Sequence, residues 1–216
     1  MIRDFDSGDV VYLLLAARWT VALVVSATLC GGVLGFVVAI ARVVPVAPVR
    51  WLAIGYINLI QGTPLLGQLF ALFFALPLIG ITVDAWSAAL VCMSIYASAF
   101  LGEIWRSGLQ SVHQRQWEAG ASLGLTYRQQ LGHVVIPQAL RISVAPTVGF
   151  LVQLVKDTSL AALIGFVELT RASQIISSAT FSPLTVYTTA AAIYFVICFS
   201  LSQLSQVLEG RLHVTR

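Results

Sequence analysis

No charged residue interrupts the chain between Arg18 and Arg42, between Arg50 and Asp84, or between Asp84 and Glu103. Crossing the ~30 Å hydrocarbon layer of a bilayer takes about 20 such residues in helical form. Only 10% of the 216 residues are charged and 58% are hydrophobic, whereas a soluble domain carries roughly 25% charged residues. The chain therefore reads as an all-α membrane protein whose helices satisfy their own backbone groups.

The first charge-free run gives a span at about 20–40, and Gly31, Gly32 and Gly35 let another helix approach there. The second run is too long for one span, and Gln61-Gly62-Thr63-Pro64 divides it. Thr63 suits an N-cap and Pro64 a first helical position. Residues 51–60 then form an interfacial helix and the second span covers about 64–78; one bent helix through 51–76 is the alternative. Further spans are expected at about 85–105, 142–166 and 185–207. Pro146 falls in the first turns of the fourth, and Glu209 and Arg211 stop the fifth. All five belong to a single transmembrane domain over residues 1–216, with a polar loop over about 107–141. The acidic N-terminus lacks the basic region of a cleavable signal, so no processing is expected.

Five spans place the termini on opposite sides. Arg42, Arg50, Arg106, Arg115, Arg128, Arg141, Arg211 and Arg216 fall on one side; Arg3, Arg18 and Arg171 fall on the other. The arginine excess makes the first side cytoplasmic, with the N-terminus outside, the C-terminus inside and the polar loop cytoplasmic. Trp19, Trp51, Trp86 and Trp105 fall at span ends, as interfacial aromatics do.

The polar loop is the one long stretch that reads as soluble. Ser111 and Gln114 stand at capping-box spacing, as do Thr126 and Gln129, and Gly124 precedes the second box. Two short helices with a turn at Gly124 follow. Ala119, Gly120 and Ala121 keep the first helix thin enough to enter a partner's groove, with Glu118 as an orienting charge. Pro137 ends the second helix. Trp117 is either an anchor on that partner or packing within the loop. A plain amphipathic loop on the lipid surface is the competing reading.

Residues Glu118-Ala119-Gly120, Gly124 and Val134-Val135-Ile136-Pro137 keep the spacing of the Glu-Ala-Ala…Gly…Ile-x-Leu-Pro pattern, differing at Gly120, Val134 and Ile136. On this ground the chain resembles the permeases of ABC importers. Gln61-Gly62-Thr63-Pro64-Leu65-Leu66-Gly67-Gln68-Leu69-Phe70 and Lys156-Asp157-Thr158-Ser159-Leu160 look like the branch that imports polar amino acids, except that Gln61 replaces its arginine and Arg115 replaces the glycine before Gln116. The resemblance covers nearly the whole chain. It implies a type I importer permease fold in the bacterial inner membrane. It also implies a loop (Trp117, Glu118, Ala119, Gly120, Gly124, Pro137) that docks on separate ATPase subunits, a periplasmic binding protein that delivers substrate, and a second permease, identical or homologous. ATP and magnesium would sit on the ATPase, leaving this chain without a cofactor.

Lys156 and Asp157 lie deep in the fourth span, Lys156 roughly 22 Å from Arg141 at 1.5 Å per residue. Charges at that depth cost at least ~2.5 kcal/mol each unless paired or hydrated. Either the helix breaks there, with Thr158 and Ser159 meeting freed backbone groups, or each charge has a partner elsewhere. The motif lines a substrate route, or it pairs with a facing subunit or Glu103. Glu103 otherwise makes a local contact with Arg106. Gln61 and Gln68 are polar candidates on the same route. The one lysine lies outside any phosphate-binding motif, so the chain is not its own ATPase. His113, His133 and His213 lack metal spacing, Cys30, Cys92 and Cys198 are apolar packing residues, and no basic block suggests nucleic acid. An ion-driven secondary transporter or a membrane-embedded enzyme using Lys156, Asp157 and Glu103 is the alternative.

Overall fold

The computed structural model describes residues 3–212. Helix α1 covers Ser7–Val43 and is opened by Asp6, whose carboxylate accepts the Asp9 N–H while Asp9 accepts the Asp6 N–H. At 1.5 Å per residue it is about 55 Å long and extends well beyond the hydrocarbon layer. Helix α2 (Ala47–Gln61) is bent by 97° against the helical run Leu65–Ile79. That run begins as α3 (Leu65–Phe70), loosens into a π-turn (Ala71–Ala75) and tightens into a 3₁₀ turn (Leu76–Ile79) that ends at left-handed Gly80.

Three local expectations need correction. Thr63 does not cap α3; Pro64 occupies that position, and the Thr63 hydroxyl turns back to donate to the Leu59 carbonyl at 2.7 Å. Ser111 and Gln114 form no capping box. Ser111 closes α4 (Ala85–Gln110) by donating to the Ser107 carbonyl, and His113 caps the next helix by accepting the Arg115 N–H. Pro137 ends no helix. The chain stays helical from Tyr127 to Ile164, and a π-turn over Leu131–Val135, closed by Ile136 N–H to Leu131 O, takes up the proline's ring and missing donor.

Between α4 and that long rod lie α5 (Gln114–Ser122) and α6 (Tyr127–Gln130). The rod continues as α7 (Ile136–Asp157) and ends in a 3₁₀ segment, Thr158–Ile164. Left-handed Gly165 reverses the chain into α8 (Leu169–Thr180), and α9 (Pro183–Leu212) follows. The side chains of Glu209 and Arg211, and the whole of His213 and Arg216, lie outside the described residues. Among the described residues four helices are long and apolar enough to cross a membrane, or five if the bent pair is one span.

Lipid tails are as apolar as leucine, so helices in a bilayer associate through close packing rather than the hydrophobic effect. The seam between α1 and α4 shows this. A Cβ on Gly31 would lie 2.6 Å from the Ala97 Cβ and 2.7 Å from the Ser94 carbonyl oxygen. One on Gly102 would lie 2.9 Å from Val38. Behind this seam Leu23, Ala27, Ala97, Leu101 and Leu154 form the main core. A second cluster packs the first turns of α1 (Leu13, Ala16, Ala17) against α8 and α9. Leu29, Val33 and Phe195 point outward, each more than 60% exposed.

Candidate functional site

The loop between α4 and α7 is a small folded unit. Helix α5 ends in a Schellman turn: Gly124 adopts φ +76°, its N–H reaches Ala121 O at 2.9 Å, and the Leu125 N–H reaches Gly120 O at 3.1 Å. The Thr126 N–H and hydroxyl both donate to the Gln129 carboxamide oxygen, which starts α6. Gly120 is buried because Gln130 lies across it; a Cβ there would be 3.0 Å from Gln130 Cγ. Gln130 in turn donates to the Leu125 carbonyl at 2.8 Å, tying the turn to α6. Gly120 therefore admits Gln130 as well as loosening its helix.

Trp117 packs within the loop. Its ring stacks on Tyr127 at 5.5 Å and leans on the small apolar cluster of Val112, Val135 and Ala139. Glu118 and Ala119 are exposed on the opposite side of α5, and Leu123 and Tyr127 expose apolar surface at 80% and 67%. His113 and His133 are exposed too. The loop thus presents a carboxylate beside apolar surface, on a scaffold continuous with α7.

Near the loop end of the bundle, Glu103 is held by two arginines. Arg106 donates to it from Nε at 2.9 Å, and Arg42 Nε of α1 lies 3.5 Å away, close enough for an ion pair but unaligned for a hydrogen bond. Sequence reasoning found Arg106 and missed Arg42. Glu103, Gln61, Phe100, Ser107 and Pro146 line a cavity of about 330 Å³ between α4 and α7. Pro146 denies the Ile142 carbonyl its helical donor, and both residues line this cavity. Gln61 also donates to Ala99 O at 3.4 Å.

Gln68 is not in this cavity. Its amide donates to the Ile60 carbonyl at 2.8 Å and to the Thr63 hydroxyl at 2.8 Å, stapling the bend between α2 and α3. The α-helical geometry of α7 does end at Asp157, and the Thr158 and Ser159 hydroxyls bond back to Val155 O and Lys156 O, each at 2.7 Å. Lys156 is exposed and forms no ion pair among the described residues; in particular it does not pair with Glu103. Asp157 accepts one hydrogen bond, from Gln153 at 2.9 Å, while its other carboxylate oxygen is buried without a partner.

Residues 31–214 match the family described as "Binding-protein-dependent transport system inner membrane component". The chain is 39% identical over 195 residues to the L-cystine transport system permease protein TcyB of Bacillus subtilis (strain 168), covering 90% of this chain and 83% of that protein. It is 43% identical over 160 residues to the probable glutamine ABC transporter permease protein GlnP of the same organism, covering 72% of each. A crystal structure of an amino acid ABC transporter with histidines superposes with a TM-score of 0.89 at 32% identity, covering 93% of this chain and 94% of that one. The fold is that of type I ABC importer permeases, and the secondary-transporter and enzyme alternatives fall away. The chain belongs to the family of inner-membrane components of binding-protein-dependent transport systems, as a permease subunit whose ATP hydrolysis takes place on separate subunits.

Proposed function

We propose that this permease imports a polar amino acid or a close analogue, handed over by a periplasmic binding protein. The names of its relatives support the substrate class. Two ATPase subunits, which hold the ATP and magnesium, close on ATP and push on the α5–α6 unit through Glu118, Leu123 and Tyr127. Helix α7 carries the movement into the membrane because it runs without a break from α6. The arginine excess on one side supports a cytoplasmic loop and C-terminus and a periplasmic N-terminus. A second permease, identical or homologous, completes the pathway, and lipid surrounds the pair.

The observation that carries the substrate reading is Asp157. Its buried, unpartnered oxygen sits where α7 changes to a 3₁₀ helix, beside the exposed ammonium of Lys156. An unpaired acceptor of this kind is costly unless something meets it. An α-ammonium on Asp157 and an α-carboxylate on Lys156 are the complementary groups of a zwitterionic amino acid. Uptake of labelled L-cystine, L-glutamine and L-histidine into proteoliposomes holding the permease, its ATPase subunits and its binding protein tests this. One of them should be imported only with ATP and the binding protein present, and Asp157→Asn should reduce its uptake while sparing basal ATP hydrolysis. Uptake on an ion gradient without ATP would overturn the reading.

A further inference from the structure

At the end of the bundle remote from α5 and α6, a buried polar network joins three helices. Glu168 lies three residues past the Gly165 reversal and is fully buried. Its carboxylate caps α8, accepting the Thr170 N–H at 2.9 Å and the Arg171 N–H at 2.8 Å. Capping needs only a Ser, Thr, Asp or Asn, yet this glutamate reaches two further helices. Tyr194 of α9 donates its phenol to Glu168 Oε2 at 2.8 Å and lies 2.9 Å from the Thr170 hydroxyl. Thr20 of α1 has its hydroxyl 3.5 Å from the same carboxylate oxygen and accepts the Leu169 N–H at 3.2 Å. The 3₁₀ segment is tied to this network through the Gly165 turn, where the Gly165 N–H reaches Ala162 O and the Phe166 N–H reaches Ala161 O, each at 3.1 Å. In a water-poor interior each of these bonds is strong and each lost partner is costly, so such networks hold their helices in one arrangement.

We infer that Glu168, Tyr194 and Thr20 form a latch that makes α1, the 3₁₀ segment, α8 and α9 move as one body during transport. The inference rests on the importer reading, and the three are positioning residues. The latch begins ten residues beyond Thr158, so it ties the region around Lys156 and Asp157 to the far ends of α1 and α9. A movement arriving along α7 then reaches that end undivided.

The test uses the full transporter, with ATPase subunits and binding protein, in a background where Cys30, Cys92 and Cys198 are replaced by alanine. Spin labels go on exposed positions of α1 and α9, through Val11→Cys and Tyr187→Cys. Pulsed dipolar spectroscopy reads their separation without nucleotide and in the ATP–vanadate-trapped state. With the latch intact, one narrow distance persists in both states. With Tyr194→Phe or Thr20→Val the trapped state broadens or splits, and the ATP consumed per L-cystine or L-glutamine imported rises about fivefold, the factor one hydrogen bond carries. A purely structural role would lower the thermal midpoint and leave both distances and ratio unchanged, which overturns the latch. So would a distance that already changes between states in the unsubstituted protein. Absence of uptake with an intact latch would instead count against the amino-acid reading, while the distances still decide the latch.

Discussion

Gly124 is the residue on which the α5–α6 unit turns, and replacing it tests whether that unit is rigid. At φ +76° an alanine places its Cβ against the following carbonyl, at a cost of roughly 1–2 kcal/mol. No neighbouring atom lies within 4 Å of a Cβ at this position, so the whole effect is backbone conformation. Helix α5 has nine residues, too few to persist unaided, so its end depends on the Ala121 and Gly120 acceptors and on the Gln130 tie. A loss of 1–2 kcal/mol shifts the closed-to-open ratio of the turn about five- to thirtyfold. Hydrogen exchange of the Leu123, Gly124 and Leu125 amides should accelerate by about that factor in Gly124→Ala. Gly124→Asn should lose much less, because asparagine tolerates the left-handed region. Equal protection in the alanine variant and the unsubstituted protein, or equal losses with alanine and asparagine, would show that the turn does not depend on a left-handed residue at position 124.

Other outcomes follow from the packing and the caps. Gly31→Ala drives a methyl against the Ser94 backbone and should cost about 1–3 kcal/mol in detergent melting, whereas Gly67→Ala, with open space around it, should not destabilise. Ala97→Gly combined with Gly31→Ala should restore part of that loss, since the Ser94 oxygen stays in place. The Ser87 hydroxyl and N–H hold the Asp84 carboxyl below its ordinary pKa. Its folded value therefore lies below the unfolded one, so the stabilisation of α4 is complete above the unfolded value and is lost as pH falls through the folded value. Asp84→Ala should flatten that acid limb of the melting profile, and an unchanged limb would count against it.

Features set by adjacent residues were legible in the sequence. Gly124 marked a left-handed turn, Thr126 and Gln129 a helix start, and the glycines of α1 a close helix contact, because each depends on local geometry or on steric size alone. The misreadings came where two local solutions compete. Thr63 could cap forward or bond backward, and the bend, held by Gln68, selects the backward bond. Pro137 was read as a helix end, but a π-turn accommodates a proline at the cost of one bond register. The Arg42–Glu103 pair and the Glu168–Thr20–Tyr194 network were invisible because their members are far apart in sequence; Thr20 and Glu168 are 148 positions apart. Nothing along the chain distinguished Glu168 from an ordinary carboxylate at a span boundary.

In the proposed mechanism, force from the ATPase enters through the exposed face of α5. The most direct measurement is binding-protein-stimulated ATP hydrolysis and uptake by the reconstituted transporter carrying Glu118→Lys. Glu118 is exposed, so the change does not disturb the fold. Reversing a charge that meets a partner should reduce both stimulation and uptake about tenfold or more while the ATPase keeps its basal rate. Stimulation and uptake unchanged in Glu118→Lys would contradict the coupling role of this loop.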